Sequence, residues 1–349
     1  MDIVRTAALP FSWLYGAVIS LRNLFYDTGI FRIEEIDVPI ISVGNLSTGG
    51  TGKTPFVEFL LRYVLGKGKT VAVLSRGYGR KTRGTVVVDQ GTFPHCTAET
   101  IGDEPYQMAR KFPDAIIIVD ERRVRGARIA KDRFKVDAII LDDGFQHRAL
   151  KRNLDIVMID GMNQITQMAM LPAGLRREPL VALRRSNLMV FSRTSGTSLH
   201  DKNLRRYSDS PSISVSFQPK QLHHIPSGRS QTTKEAKGKS CVAFCGIGNP
   251  RSFLQTLESM SLEIREFITF PDHYAYHPAD LRKIGVTFKE TRADLILTTE
   301  KDAARLTSSQ SVEPSGLNEL YYVEIEACIT EGETILHALI DSALDRGRA

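Results

Sequence analysis

Cysteine and tryptophan are scarce in this chain: four cysteines and one tryptophan in 349 residues. No two of Cys96, Cys241, Cys245 and Cys328 stand at CxxC spacing, and nothing about their number or placement indicates a disulfide framework, so a reducing compartment is expected. Long apolar runs are also missing. The longest uncharged stretch of note covers residues 6–21, contains Trp13 and is interrupted by Pro10, which leaves it borderline short for a membrane span. There is no internal repeat and no low-complexity tract. Acidic residues are not in excess: net charge is +6 and the isoelectric point about 9.1. A basic balance suits an anionic partner, whether nucleotide, nucleic acid or acidic membrane, without choosing among them. No nucleic-acid recognition motif is found. Hydrophobic residues at 42% and charged residues at 25% are ordinary for a globular chain, and the length allows two domains.

The most informative stretch is IISVGNLSTGGTGKT, residues 40–54. A β-branched strand runs into a glycine-rich turn ending in Gly52-Lys53-Thr54, and a helical pattern follows over 56–65. That order builds a phosphate cradle, because backbone N–H groups of the loop and helix N-terminus converge on one anion. Gly49, Gly50 and Gly52 permit positive φ and close backbone approach. Lys53 is placed to reach β- and γ-phosphates, and the Thr54 hydroxyl to bind Mg²⁺. The strict GxxxxGK[ST] pattern fails at its first glycine, where Ser47 stands. The expected ATP-binding set is Asn45, Ser47, Thr48, Gly49, Gly50, Thr51, Gly52, Lys53 and Thr54.

Further strands are expected at 38–43, 70–75, 85–89, 115–119, 138–141, 155–159 and 188–192, several of them continuous apolar runs such as AIIIV and AIIL. Such runs suit parallel strands covered on both faces. With helices at 55–65, 104–112 and 121–134 between them, the pattern predicts βαβ units in a P-loop NTPase-like, doubly wound parallel α/β sheet. A polar stretch follows at 194–211 and another at 223–239, with a strand at 213–218 between them. A second, smaller α/β domain is then expected, with strands at 241–245, 265–269, 295–298 and 321–325 and helices at 250–259, 278–284, 300–306 and 333–344. The expected division is an N-terminal apolar helix at 1–30, a kinase-like domain at 31–210, a connection at 211–239 and the second domain at 240–349.

The apolar N-terminus reads best as a helix lying in a membrane interface, anchored by Trp13 and Tyr15 with Arg5 and Arg22 at its ends. Burial against the body of the protein, a span and a cleaved signal are the alternatives. In AIILDDGFQH, residues 138–147, apolar residues run into Asp142 and Asp143, as at a strand end that holds Mg²⁺. Adjacent strand residues point to opposite faces, so one of the two is expected to be the metal ligand. Gly102-Asp103-Glu104-Pro105 opens a helix. Asp103 there is either its N-cap or a general base for a substrate hydroxyl. FPDHYAYHP, 270–278, sets His273 beside Asp272, an arrangement that orients or tunes a base, and has poor zinc-ligand spacing. SRGYGR, 75–80, suits an anionic sugar or phosphate. ERRVRGAR, 121–128, is either a solvated basic face or a clamp for phosphorylated lipid or a transferring phosphoryl group.

Together these segments resemble the tetraacyldisaccharide 4′-kinase family. The matching pieces are VGNLSTGGTGKTP (43–55), LSRGYGR (74–80), GDEP (102–105), DDGFQHRALKRNLDIVMID (142–160), LPAGLRREP (171–179), FPDHYAY (270–276) and TTEKDA (298–303), in the family's order. The resemblance implies a kinase that uses ATP and Mg²⁺ to phosphorylate the 4′-hydroxyl of the lipid A precursor disaccharide, working peripherally at the cytoplasmic face of the bacterial inner membrane, with no nucleic acid or protein partner. It implies Lys53 and Thr54 at the phosphates and metal, Asp103 as catalytic base assisted by His273, and Asp142 and Asp143 as metal-site carboxylates. It further implies Arg76, Tyr78 and Glu178 as substrate contacts. Tyr274 stands where the family often has a second histidine, and Leu175-Arg176 where it usually has Pro-Leu. The competing readings are a P-loop NTPase switch or metallochaperone without a lipid substrate, and a basic nucleic-acid-binding module.

Overall fold

A computed structural model describes residues 3–162, 165–193, 204–308 and 317–345. In chain order its first elements are α1 (Ile3–Asp27), β1 (Ile40–Asn45), α2 (Lys53–Gly66), β2 (Val71–Ser75), β3 (Val86–Val88), α3 (Ala98–Ile101), α4 (Asp103–Lys111), β4 (Ile116–Val119) and α5 (Arg123–Phe134). They continue with β5 (Ala138–Asp142), β6 (Leu154–Asp160), β7 (Leu188–Ser192), β8 (Ser212–His224), β9 (Ser230–Thr232), α6 (Thr233–Ala236), β10 (Ser240–Cys245) and α7 (Pro250–Ser259). The last are β11 (Glu263–Thr269), α8 (Pro278–Thr291), β12 (Leu295–Thr299), α9 (Glu300–Ser308), β13 (Leu320–Glu331) and α10 (Glu333–Asp345).

Two compact units emerge, and each is interleaved in sequence. One comprises residues 1–76, 114–217 and 327–349, the other 77–113 and 218–326. The sequence-based division is contiguous. The observed one differs because β8 and β13 are long enough to begin in one unit and end in the other, and because 77–113 leaves the first unit after β2 and returns before β4. Much of the polar stretch at 194–211 lies outside the described residues.

In the first unit the strand order is β8-β7-β6-β1-β5-β2-β4, every neighbouring pair parallel. Parallel strands need crossovers and both faces covered, and the central strands β1, β2 and β5 are accordingly buried at every position. The order turns around β1, with β5 on one side and β6 on the other, so the loop after β1 lies at the switch point of the sheet, where such folds bind ligands.

In the second unit β11, β10, β12 and β13 form a parallel run, with β9 antiparallel to β8. Strand periodicity splits its core cleanly. Cys241, Ala243 and Cys245 pack with Phe253 and Leu257 of α7, while Val242 and Phe244 pack with Leu281 and Ile284 of α8. The two cysteines are small core residues, and burial pushes both thiols up to about 12.

α1 is amphipathic in an unusual sense. Ser12 and Asn23 are buried against the first unit, and Ser12 Oγ accepts a hydrogen bond from Ala173 N at 2.9 Å. The opposite face is apolar and open, with Phe11, Trp13, Leu14, Val18, Leu21 and Leu24 all exposed. Two expected anchors belong to the inner face instead. Tyr15 OH donates to Arg177 O at 3.0 Å, and Arg22 is held by Asn23 and Glu178. The Arg5 side chain lies outside the described set. No described helix is long and apolar enough to cross a membrane.

Candidate active site

The loop between β1 and α2 is fixed by its glycines and by neighbouring backbone. Gly52 is the N-cap of α2, in the left-handed region at φ +82°, and a Cβ there would fall 1.9 Å from the Phe217 ring. Gly49 also has positive φ, at +112°, whereas Gly50 does not. Thr48 N donates to Leu175 O at 2.8 Å, Ser47 bridges Arg176, and Arg193 donates to Gly50 O at 2.6 Å. Leu175 and Arg176 hold the loop through main-chain atoms, so the departure from Pro-Leu there leaves the support intact. Beneath the loop, Asn45 Nδ2 donates to Thr51 Oγ1 at 3.2 Å, and Asn45 Oδ1 is buried without a partner.

Lys53 opens α2, and its Nζ lies 3.4 Å from Asp143 Oδ1. Asp143 follows β5 in a left-handed conformation, φ +49°, and also receives Arg177 Nη1 at 2.8 and 3.0 Å. Burial raises the Asp143 carboxyl, but Lys53 and Arg177 outweigh it and hold it below the usual range. Asp142, the last residue of β5, takes a hydrogen bond from Ser75 Oγ at 3.0 Å. The two aspartates therefore differ in setting: Asp143, past the strand end, meets Lys53 and Arg177, while Asp142 takes the Ser75 hydroxyl and interacts with the Arg123 charge. Thr54 and these carboxylates are hard oxygen donors suited to Mg²⁺. Among the described residues no group of three or more histidine, cysteine, aspartate or glutamate side chains is placed to hold a metal ion.

The arginines of 121–128 divide. Arg123, the first residue of α5, is buried and donates to Asp120 O at 2.7 Å, and burial brings its pKa down to about 10. Arg125 is clamped on Asp120, and Arg128 pairs with Glu34. His147 is partly buried, with its Nε2 unpartnered, and burial together with Arg123, Arg152 and Arg76 lowers it to about 4. Arg76 is exposed at the end of β2, and Tyr78 is exposed in the second unit. Glu178 is placed differently from a substrate contact. It is fully buried, accepting from Asn23 Nδ2 at 2.8 Å and from Arg185 at 3.1 and 3.2 Å, so its carboxylate ties α1 to the body of the first unit.

In the second unit Asp103 is the first residue of α4, and Gly102 is its N-cap. The side chain does not cap the helix. Its Oδ2 is 2.8 Å from His273 Nδ1, 2.8 Å from Arg305 Nε and 2.7 Å from Arg305 Nη2. Burial alone would raise the Asp103 carboxyl, but these hydrogen bonds and charges bring it below its ordinary value. His273, held at φ +58°, is raised chiefly by its hydrogen bond to Asp103. Asp272 is a lesser partner, 3.9 Å from His273 Nε2, and the histidine's short side-chain contact is with Asp103, the pair that the family resemblance implies. The Tyr78 ring stands 5.1 Å from that of His273.

A family model described as tetraacyldisaccharide-1-P 4′-kinase matches residues 4–345. The chain belongs to this family. A tetraacyldisaccharide 4′-kinase of Chlorobium phaeobacteroides is 36% identical over 356 residues, covering 99% of each chain. One of Syntrophotalea carbinolica is 40% identical over 308 residues, covering 85% of this chain and 82% of that one. The crystal structure of the "apo" form of LpxK from Aquifex aeolicus in complex with ATP aligns with TM-score 0.78 at 32% identity, over 98% of this chain and 100% of that one.

Within this kinase family frame, three residues of the two clusters were not singled out by sequence reasoning: Arg177, Asp302 and Arg305. Arg177 and Asp302 lie inside the segments LRREP and TTEKDA. Nothing in the linear pattern says which arginine or aspartate of such a segment turns inward. Arg305 follows TTEKDA by two positions and reaches Asp103 only through the fold.

Proposed function

We propose that this chain transfers the γ-phosphoryl group of ATP to the 4′-hydroxyl of a tetraacyldisaccharide 1-phosphate, the lipid A precursor. The observation that carries this reading is the family match across residues 4–345, together with a strand–glycine loop–Lys-Thr–helix unit at the switch point of the sheet. In the proposed reaction the 4′-oxygen forms a bond to the γ-phosphorus, the bond from that phosphorus to the β–γ bridging oxygen breaks, and ADP leaves. The hydroxyl proton goes to Asp103. Backbone N–H groups of the glycine loop and of the first turn of α2, with the Lys53 ammonium, offset charge on the phosphates. Thr54 and Asp142 are the proposed Mg²⁺ holders, with Asp143 turned to Lys53 and Arg177. When bound, Mg²⁺ supplies charge neutralisation and orientation of the phosphates. Asp143 then serves to aim Lys53. His273 keeps Asp103 ionised and oriented. Arg76 and Tyr78 are proposed sugar-phosphate contacts.

The exposed face of α1 supports a monotopic position at the cytoplasmic face of the inner membrane, where an acylated substrate resides. Trp13 is 73% exposed and Phe11 65%, values that a helix folded onto its own protein would not keep on its apolar side. The deciding experiment is phosphotransfer from γ-labelled ATP to a panel of acyl-disaccharide acceptors, with a no-acceptor control. Label in the lipid supports the kinase. Acceptor-independent hydrolysis with no labelled lipid would favour the NTPase-switch reading.

A further inference from the structure

Asp103 is held by more than a histidine. Arg305, on α9, is only 9% exposed, and its guanidinium is fully committed. Nε and Nη2 meet Asp103 Oδ2, while Nη1 donates to Gly246 O at 2.8 Å and to Asp302 Oδ1 at 2.9 Å. Asp302 is itself immobilised. Its Oδ1 accepts from Tyr276 OH at 2.8 Å and Gly246 N at 3.1 Å, and its Oδ2 from Thr299 Oγ1 at 2.6 Å. The chain Tyr276–Asp302–Arg305–Asp103–His273 is thus continuous and lies wholly within the second unit. Every contact to the Asp103 carboxylate falls on Oδ2, so Oδ1 is the oxygen left to face a hydroxyl.

We infer that Arg305 is a positioning residue for phosphotransfer: it fixes which oxygen of Asp103 meets the substrate and sets the pH at which that base is ready. The inference rests on the reading of Asp103 as the base. The physical reason is the planar fork of arginine, which stays charged at any working pH and spans Asp103, Asp302 and Gly246 at once. A lysine at 305 would keep the charge but could not make the same set of contacts. The charged and titratable groups around Asp103 are Glu104 on its own helix, Lys301, Asp302 and Arg305 on α9, and Asp272 and His273 on the 270–277 loop, with Tyr276 behind Asp302. Lys301 is paired with Glu104, which leaves Arg305 and His273 as the cations on Asp103 itself.

The test is the pH profile of kcat/KM for the full chain, R305M, R305K and D103N, from about pH 3 to 9, with Tm measured alongside. R305M removes an opposite charge in direct contact, which shifts a carboxylate by about one unit or more. Its acid limb is therefore expected about one pH unit or more above wild type, with a lower plateau. R305K is expected to keep the limb within about half a unit of wild type while the plateau falls roughly tenfold, because charge is kept and aim is lost. An R305M limb that coincides with wild type, with only Tm lowered, would make Arg305 a clip between α4 and α9 and overturn the inference. If R305M does not fold, a wild-type plateau in R305K overturns it. Full activity in D103N would instead remove the base assignment, and the inference with it. An inactive D103N beside an unmoved R305M limb would remove the inference alone.

Discussion

Lys53 Nζ and Asp143 Oδ1 lie 3.4 Å apart, one at the head of α2 and the other just past β5. The pair links the glycine loop to the acidic end of the neighbouring strand. It leaves the lysine side chain mostly buried, and together with Arg177 it holds the Asp143 carboxyl below its usual range.

Lys53→Ala removes the cation that offsets phosphate charge. Loss of one such electrostatic stabiliser costs on the order of 10²–10³ in kcat. Steady-state phosphotransfer by the purified variant checks this, and turnover close to wild type would remove Lys53 from the phosphate site.

Gly52→Ala meets two obstacles at once: φ of +82°, and a Phe217 ring 1.9 Å from the new Cβ. The left-handed backbone alone costs an L-residue about 1–2 kcal/mol. Nucleotide affinity and Tm are both expected to fall. Adding Phe217→Ala should relieve the clash but not the backbone term, so the double variant is expected to recover only in part. Isothermal titration with ATP and thermal denaturation follow the two effects.

Glu178→Ala discriminates a buried anchor from a substrate contact. Removing one partner of a buried ion pair costs on the order of 3 kcal/mol, and here Arg185 and Asn23 lose their acceptor together. A drop of several degrees in Tm is expected. A raised KM for lipid at unchanged Tm would return Glu178 to the substrate-binding set.

Phe11→Ser, Trp13→Ser and Leu14→Ser combined leave the packed side of α1 untouched, since all three side chains are exposed. Tm should hold. Vesicle partitioning should weaken by about a thousandfold or more, given about 1.5–3 kcal/mol for each of the three large apolar side chains if fully buried. Deleting α1 outright is the poorer experiment, because Ser12, Tyr15 and Asn23 are bonded to the body of the protein. Equal co-sedimentation of variant and wild type with inner-membrane lipid vesicles would discard the interfacial helix.

The Asp103–His273 pair also writes a pH signature into stability. The folded His273 pKa is raised, so its contribution is complete below the unfolded value of about 6.5 and disappears as pH rises through the folded value. The folded Asp103 pKa is lowered, so its contribution is present above about 3.9 and is lost as pH falls through the folded value. The Tm difference between wild type and His273→Ala should therefore be widest between about pH 4 and 6.5 and shrink at higher pH. A difference independent of pH would show that His273 contributes packing alone.

Periodicity and spacing by themselves determined the parallel sheet, the glycine loop after β1 and the carboxylates at the end of β5. These are local consequences: a continuous apolar run can only be a doubly covered strand or a buried helix, and glycines before Lys-Thr have few other uses. The apolar side of α1 was legible for the same reason. What the linear pattern could not carry was direction and partnership across long sequence separation. Whether Asp103 capped a helix or met another element depended on His273 and Arg305, 170 and 202 residues further along. Tyr15 and Arg22 turned inward because Arg177 and Glu178 offered them buried partners, and Glu178 became an anchor because Asn23 and Arg185 consumed its oxygens. The interleaved units likewise followed from β8 and β13 each crossing from one to the other, a choice made by strand pairing. A residue type and its neighbours set what chemistry a side chain can perform. Which of its possible partners it reaches is settled only when packing brings distant segments together and every buried polar group must find a bond.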